Sequence, residues 1–224
     1  MAEYEEQTAS SKLSSFIEKN RKNIITVFVI LVCLLAGYIV FAALNNKAKE
    51  KNLQALDEIT YELTSKSSDL EDSEVEARIA TAIEKAAPIA KKGGIAGARA
   101  NMLCAELTFK QEKYDEAAAY WKAAASKSKK TYLAPIAYFN LAVCYENIGN
   151  NDLAVENYKL AANDESFVMR THAMFSYGRV LETKGDFSAA AEVYTELNDK
   201  FAGNSWANLA KTRLISLQNE GKIE

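Results

Sequence analysis

The sequence repeats itself with a period of 36 to 37 residues, and this repeat limits the fold more than any other feature. Three segments align, beginning at Ala98, Pro135 and Thr171. Repeats of roughly 20–50 residues build elongated arrays, because each unit buries its apolar face only against its neighbours. Each segment carries a small residue and, twelve positions later, an alanine; the pairs are Ala105 with Ala117, Ala142 with Ala154, and Gly178 with Ala190.

The spacing of these small residues predicts that each segment is a pair of crossing helices. Two antiparallel helices approach closely only where both lack bulk, and larger side chains fill the flanking gaps. An aromatic residue follows each alanine by four positions, namely Trp121, Tyr158 and Tyr194. Gly149 and Gly185 lie between the two helices of their segments, where a helix end favours a left-handed residue.

These segments resemble the tetratricopeptide repeat, a helix-turn-helix unit of about 34 residues. The resemblance covers residues 97–203 and implies an all-α solenoid that binds protein partners. The segment 204–224 is predicted as a capping helix and tail, because Trp206, Leu209 and Leu214 lie on one stripe.

Composition excludes several other classes of protein. The chain has two prolines, nine glycines and few alternating apolar runs, so an all-β fold is not expected. A net charge of −3 argues against nucleic acid as a partner. The single histidine, His172, and three cysteines without a C-x-x-C spacing predict no metal, no cofactor, no small-molecule substrate and no enzyme. Cys104 and Cys144 are interpreted as buried packing residues, with a disulfide as the alternative.

An uncharged run of twenty-one residues, Ile24 to Leu44, predicts a single transmembrane helix. At 1.5 Å per residue such a helix just crosses a hydrocarbon core of about 30 Å. The alternatives are a cleaved signal peptide, whose apolar region is shorter, and a lipoprotein acylated at Cys33, after which the apolar run continues too far.

The charges beside this run decide its orientation only weakly. Four cations precede it and three follow it, which is close to a tie. Long domains cross a membrane largely regardless of their charge. We therefore expect residues 1–23 to form a short cytoplasmic tail, and the C-terminal domain to face the periplasm from the bacterial inner membrane.

Residues 45–96 are predicted as a juxtamembrane helix and a degenerate helical hairpin. Leu53, Leu56, Ile59 and Leu63 recur at helical spacing, and a second helix with Ile79 on its apolar face is expected to end near Pro88. The predicted fold is thus one transmembrane helix followed by about three repeats, with this degenerate hairpin before them and the capping helix after them.

The whole layout resembles the YfgM-like ancillary subunits of the bacterial Sec translocon. The resemblance lies in a charged tail ending FIEKNRKNI, a single span, the juxtamembrane segment KAKEKNLQAL and a small repeat domain. It implies a periplasm-facing scaffold that works beside SecYEG and with periplasmic chaperones. The alternative function is an adaptor that coordinates cell-envelope assembly or division, or a regulator that acts through its short tail.

The repeat resemblance also implies a binding groove, because the first helices of such units line the concave face. The side chains expected there are Arg99, Met102, Glu106, Phe109, Ile136, Phe139, Val143, Glu146, Phe175, Arg179 and Glu182. The apolar members would form a stripe suited to a partner segment. The alternative is that a terminal helix or the juxtamembrane hairpin covers this stripe.

Overall fold

The computed structural model describes residues 2–65 and 70–224, and every regular element within these ranges is an α-helix. The all-α prediction is therefore confirmed for the described part of the chain. The helices are α1 (Ala2–Thr64), α2 (Asp72–Ala90), α3 (Gly94–Lys110), α4 (Tyr114–Ser128), α5 (Leu133–Ile148), α6 (Asn151–Ala162), α7 (Arg170–Thr183), α8 (Phe187–Lys200) and α9 (Ser205–Asn219).

The chain divides into two units, and the first ends at Lys51. It consists of α1 residues, including the uncharged run 24–44. The large apolar side chains of this run are exposed; Phe28, Leu34 and Phe41 have exposed fractions of 66%, 64% and 67%. Helix α1 contains an 18-residue window with a mean hydropathy of 3.0, which is long and apolar enough to cross a membrane.

The second unit, Asn52–Glu224, is a row of antiparallel helix pairs in which each helix from α2 to α9 contacts the next. The predicted crossing residues are buried: the two alanines of the second pair, Ala142 and Ala154, are fully buried. At Gly178, a Cβ atom would lie 2.5 Å from Cε1 of Tyr194, so the third pair has no room even for a methyl group. Both observations agree with close packing of the two helices at the predicted positions.

Two of the turns within the helix pairs contain a glycine in the left-handed conformation. Gly149 and Gly185 both have a φ of 81°, which is the left-handed conformation that the sequence predicted. In the first pair the turn contains Glu112 with a φ of 59°. A residue with a Cβ takes up this conformation at some cost in free energy, so the first turn is made without the usual glycine.

The residues of α1 beyond Asn52 pack against α2 to form the pair that precedes the repeats. Leu56, Ile59 and Ile79 belong to one buried cluster. The Arg78 guanidinium donates hydrogen bonds to carbonyl oxygens near the end of α1, at 3.1 Å for Glu62 and 2.6 Å for Ser65. These bonds satisfy carbonyl groups that have no partner within the helix.

Helix α2 ends just before the repeats, and helix α9 begins just after them. Helix α2 runs through Pro88 and ends two residues later at Ala90, close to the predicted end. Helix α9 begins after Asn204, whose side-chain oxygen accepts a hydrogen bond from the backbone N–H of Trp206 at 2.9 Å. Asparagine is among the residues that most favour this capping position.

Candidate functional site

The predicted groove residues lie on the first helices α3, α5 and α7, on a surface that we call the first-helix face. They differ widely in exposure. Arg99, Glu106 and Arg179 are exposed; Met102, Phe109, Ile136, Val143, Glu146, Phe175 and Glu182 are half-buried; Phe139 is buried.

Phe139 lies inside a cluster of rings and is only 7% exposed. Its ring centroid lies 5.4 Å from that of Tyr158 and 6.1 Å from that of Phe167. The imidazole of His172 covers it at 4.9 Å. The expectation that Phe139 offers an open ring to a partner is therefore wrong, because the loop before α7 and the start of α7 close over it.

The capping helix covers the neighbouring rings. Trp206 of α9 stacks on His172 with the ring centroids 3.9 Å apart and the planes inclined by 6°. The same indole lies 5.3 Å from the ring of Phe175. Burial, together with the nearby Arg179 charge, lowers the pKa of His172, so the stacked imidazole is neutral at physiological pH. A terminal helix thus covers this end of the stripe, which is the alternative that the sequence left open.

A polar triad joins the second and third repeats. The Arg179 guanidinium donates two hydrogen bonds to the Glu146 carboxylate, at 2.7 and 2.8 Å. The Tyr158 hydroxyl donates to the same carboxylate at 2.5 Å. Burial and this hydrogen bond raise the pKa of Tyr158, so the phenol keeps its proton and remains a donor.

The same triad recurs between the third repeat and α9. Arg213 of α9 contacts the Glu182 carboxylate through two guanidinium nitrogens, and the Tyr194 hydroxyl donates to it at 2.5 Å. Burial opposes ionisation of Glu182, but the hydrogen bonds from Arg213 and Tyr194 outweigh it and lower the pKa of the carboxyl. Glu146, Arg179 and Glu182, all predicted to face a partner, are therefore engaged in contacts between repeats.

The pattern of this triad is visible in the sequence, although the groove assignment missed it. Each glutamate follows the small crossing residue by four positions, and each tyrosine follows the crossing alanine by four. In the first repeat the same two places hold Phe109 and Trp121, and Val143 stands where the next repeat has Arg179. The first junction is thus apolar where the later two are polar.

The N-terminal part of the first-helix face remains open and contains a recess of about 240 Å³. Its walls come from α1, α3 and the start of α5; they include Leu56, Thr60, Arg99, Met102, Leu103, Glu106, Tyr132 and Leu133. Of the predicted groove residues, it brings together Arg99, Met102 and Glu106. Of the remaining lining residues, Leu103 is the neighbour of Met102 on α3, whereas Leu56 and Thr60 come from the preceding hairpin and Tyr132 from a loop.

The charges of the recess are partly neutralised. Arg99 Nη2 lies 2.9 Å from Asp57 Oδ1, and both side chains are largely exposed. Although Glu106 is exposed as a whole residue, partial desolvation of its carboxyl group raises its pKa, while the charge of Lys110 acts in the opposite direction. Tyr132 is 64% exposed and presents its ring at the rim. The recess therefore combines an apolar floor with one cation and one carboxylate at its edges.

The described residues contain no group of three or more His, Cys, Asp or Glu side chains that could hold a metal ion. Cys104 and Cys144 are free thiols and both are buried. Burial raises the pKa of Cys104 to about 11 and that of Cys144 to about 12, which keeps both thiols protonated at neutral pH.

Stacked helix pairs with small crossing residues, glycine turns and repeated contacts between neighbours define a helical-repeat scaffold. The chain belongs to the tetratricopeptide repeat-like domain family, whose sequence model matches residues 14–219. The resemblance to tetratricopeptide repeats is confirmed, and the chain is accordingly a scaffold for protein–protein contacts.

The chain is also similar to one curated relative and to solved structures. A "TPR repeat-containing protein" of Treponema pallidum (strain Nichols) is 31% identical over 139 residues, which are 62% of this chain and 58% of that protein. The chain thus spans less than two thirds of the relative's length. A solved structure of nearly identical TPR-like repeats, from a Podosopora anserina protein described as a kinesin light chain, has a TM-score of 0.58 and 12% identity. It covers 78% of this chain and 89% of that one, and it shows a shared solenoid fold.

Proposed function

We propose that this protein is a membrane-anchored scaffold of the bacterial cell envelope that captures a protein segment in the open recess of its first-helix face. The recess carries this proposal, because it is the part of the predicted groove where half-buried apolar side chains remain reachable from solvent. The uncharged run 24–44 is the proposed anchor, and the repeat domain is proposed to face the periplasm.

The chemistry of the recess selects an apolar segment with charged neighbours. Met102 and Leu103 supply an adaptable apolar floor, since methionine fits irregular shapes. Arg99 shares its charge with the exposed Asp57, so a partner carboxylate competes for the guanidinium at little cost. Tyr132 offers an exposed ring of the type that often dominates binding energy at interfaces.

The half-buried residues Ile136 and Val143 extend this surface from α3 onto α5, and Phe109 lies at the far end of α3. We propose that a partner continues across them as far as the Glu146–Arg179 pair. Beyond that pair the face is occupied by the chain's own rings, so the binding surface is proposed to belong to the N-terminal half of the domain.

The proposed partners are SecYEG and periplasmic chaperones. Support comes from the layout that resembles the YfgM-like subunits: a charged tail, one span, a juxtamembrane helix and a small repeat domain. The alternative is an adaptor for envelope assembly or division, or a regulator acting through residues 1–23. The two classes differ in the partner that occupies the recess.

Site-specific photocrosslinking in intact membranes separates them. A photoreactive phenylalanine at Met102 should crosslink a translocon subunit or a periplasmic chaperone, and one at Leu160 should not. Leu160 is a suitable control because its side chain is 43% exposed on the second helix of its pair. Crosslinks from Met102 to division or assembly proteins would favour the alternative function, and equal capture at both positions would contradict the recess as a binding site.

Protease treatment of spheroplasts tests the orientation. External protease should digest the region from Asn45 onward and leave the N-terminal tail protected. Protection of the repeat domain instead would reverse the orientation and remove the basis for a periplasmic partner.

A further inference from the structure

Positive charge is concentrated in two stretches of an otherwise acidic chain. Residues 86–105 and 117–145 contain seven lysines and arginines and no aspartate or glutamate, while the whole chain has a net charge of −3. Such a separation of charge creates a local positive field that the net charge conceals.

The fold brings these two stretches together at one end of the repeat domain. A Cβ placed on Gly97 would lie 1.9 Å from the Lys92 carbonyl oxygen and 3.3 Å from Cδ of Lys127. The first turn of α3 therefore lies between the loop that precedes it and the end of α4. Lys91 and Lys92 lie in the loop between α2 and α3, and Lys129 and Lys130 directly follow α4.

All four lysines, Lys91, Lys92, Lys129 and Lys130, are exposed, and none forms an ion pair with any residue that the structure describes. Their ammonium groups are thus available to an external anion. Tyr132 lies two residues beyond Lys130 and is 64% exposed. Clusters of exposed lysines close to a membrane-spanning segment are typical of surfaces that meet anionic lipid headgroups.

The chain enters the repeat domain at this same end. Asp57, five residues after Asn52, pairs with Arg99 near the start of α3. Leu56 and Tyr132 line one recess. Asn52 follows Leu44, the last residue of the proposed anchor, by eight residues. Eight residues reach about 28 Å at most even when fully extended, so the covalent chain keeps this end near the membrane surface.

The next loop at this end marks the limit of the positive surface. It contains Asp164 and Glu165, whose charges oppose an approach to anionic headgroups. The turns at the other end of the pairs also carry carboxylates, such as Glu112 and Asp152. The positive surface is thus confined to the first two loops at the end where the chain enters.

We propose that Lys91, Lys92, Lys129 and Lys130 bind the anionic headgroups of the membrane in which the chain is anchored. This proposal rests on the membrane anchor of the proposed function. The interaction fixes which side of the repeat domain faces the bilayer, and it leaves the first-helix face accessible from the side. Each lysine that reaches an anionic surface contributes roughly fivefold in affinity, and salt screens the effect.

Hydrogen exchange of the full-length protein in lipid nanodiscs tests the proposal. Nanodiscs of phosphatidylcholine alone are compared with nanodiscs containing phosphatidylglycerol. Backbone exchange in the two lysine loops should slow by roughly fivefold or more in the anionic discs, the factor expected from one lysine at such a surface. The turn that contains Glu112 should exchange equally in both, and high salt should remove the difference.

A matched pair of variants makes the result specific. Lys129→Glu with Lys130→Glu should abolish the lipid-dependent protection, whereas Lys110→Glu with Lys113→Glu, at the opposite end, should retain it. Equal exchange in both kinds of disc would overturn the proposal. Protection of the loops by an acidic polypeptide, but not by anionic lipid, would overturn it in favour of a protein ligand.

The membrane anchor is tested separately, by whether the protein elutes with the discs. If the protein enters neither disc, the anchor has failed. Vesicles of the same two compositions, added to the protein, then test the lysine loops directly by the same exchange measurement. The two proposals can therefore fail independently.

Discussion

Replacing Arg179 by methionine should destabilise the repeat domain, because the Glu146 carboxylate loses its positively charged partner. The Glu146 carboxylate receives three hydrogen bonds, two from Arg179 and one from Tyr158. Methionine keeps most of the aliphatic stem and removes both charged donors. Glu146 would then retain the phenol as its remaining partner among these three donors.

The size of the effect follows from the burial of Glu146. Its side chain is 20% exposed, whereas the Arg179 side chain is 45% exposed. An exposed ion pair contributes roughly 0.2–1 kcal/mol, while removing one partner of a buried pair costs roughly 3–5 kcal/mol. For this intermediate case we expect a loss of about 2 kcal/mol in the free energy of unfolding. In a domain of this size, that lowers the melting temperature by roughly 4–8 °C.

Tryptophan fluorescence measures this loss in the full-length protein in detergent. The chain has two tryptophans, Trp121 and Trp206, and both lie in the repeat domain. Arg99→Met is the matched control, because its partner Asp57 is 65% exposed. The control should change the free energy of unfolding by less than about 1 kcal/mol.

A second variant tests the reasoning from the opposite direction. Glu146→Phe, Tyr158→Trp and Arg179→Val together copy the residues of the first junction. Replacing a buried ion pair by apolar residues is often neutral or stabilising, so this triple variant should melt above Arg179→Met. If Arg179→Met itself melts with the wild type, the ion pair does not hold the repeats together, and the argument from burial is refuted.

Three further predictions concern packing, pH and thiol reactivity. Ala154→Leu at the fully buried crossing should cost about 1–3 kcal/mol, whereas Ala119→Leu on an exposed face should cost less than about 0.5 kcal/mol; equal melting curves would contradict the crossing. Folding lowers the pKa of the Glu182 carboxyl group. Its contribution to the free energy of unfolding is therefore present above the ordinary pKa of a glutamate and is lost as the pH falls through the lowered pKa. Glu182→Gln should make the loss of stability at acid pH less steep. Cys104 and Cys144 should resist alkylation at neutral pH until the domain unfolds, as mass spectrometry of their peptides would show; labelling in the native state would contradict their burial.

The repeat architecture was predictable because its signals are local and occur three times. Crossing residues such as Ala142, and turn glycines such as Gly149, are set by short-range geometry, and each copy of the pattern supports the others. The left-handed turn at Glu112 was not predictable in the same way, because its residue type does not favour that conformation. The Glu112 turn takes up the same left-handed conformation as the glycine turns of the neighbouring pairs, because the helices on either side impose that conformation.

The candidate site was predicted less well because exposure depends on residues far away in the sequence. Phe139 and Met102 occupy the same position in their repeats. Phe139 is buried because Phe167 and His172 cover it, while Met102 lines an open recess. Inspection of either helix alone does not distinguish the two cases.

The sequence by itself determined the helix pairs, their crossings and the apolar run, since these depend on the size and polarity of residues at fixed spacings. Only the tertiary structure decided which part of the first-helix face is open. Burial and hydrogen bonding arise between repeats: Trp206 covers His172, and Arg179 and Arg213 bind carboxylates of the preceding repeat. The free energy of such contacts depends on distances between side chains that are some 30 residues apart along the chain, which no local spacing specifies.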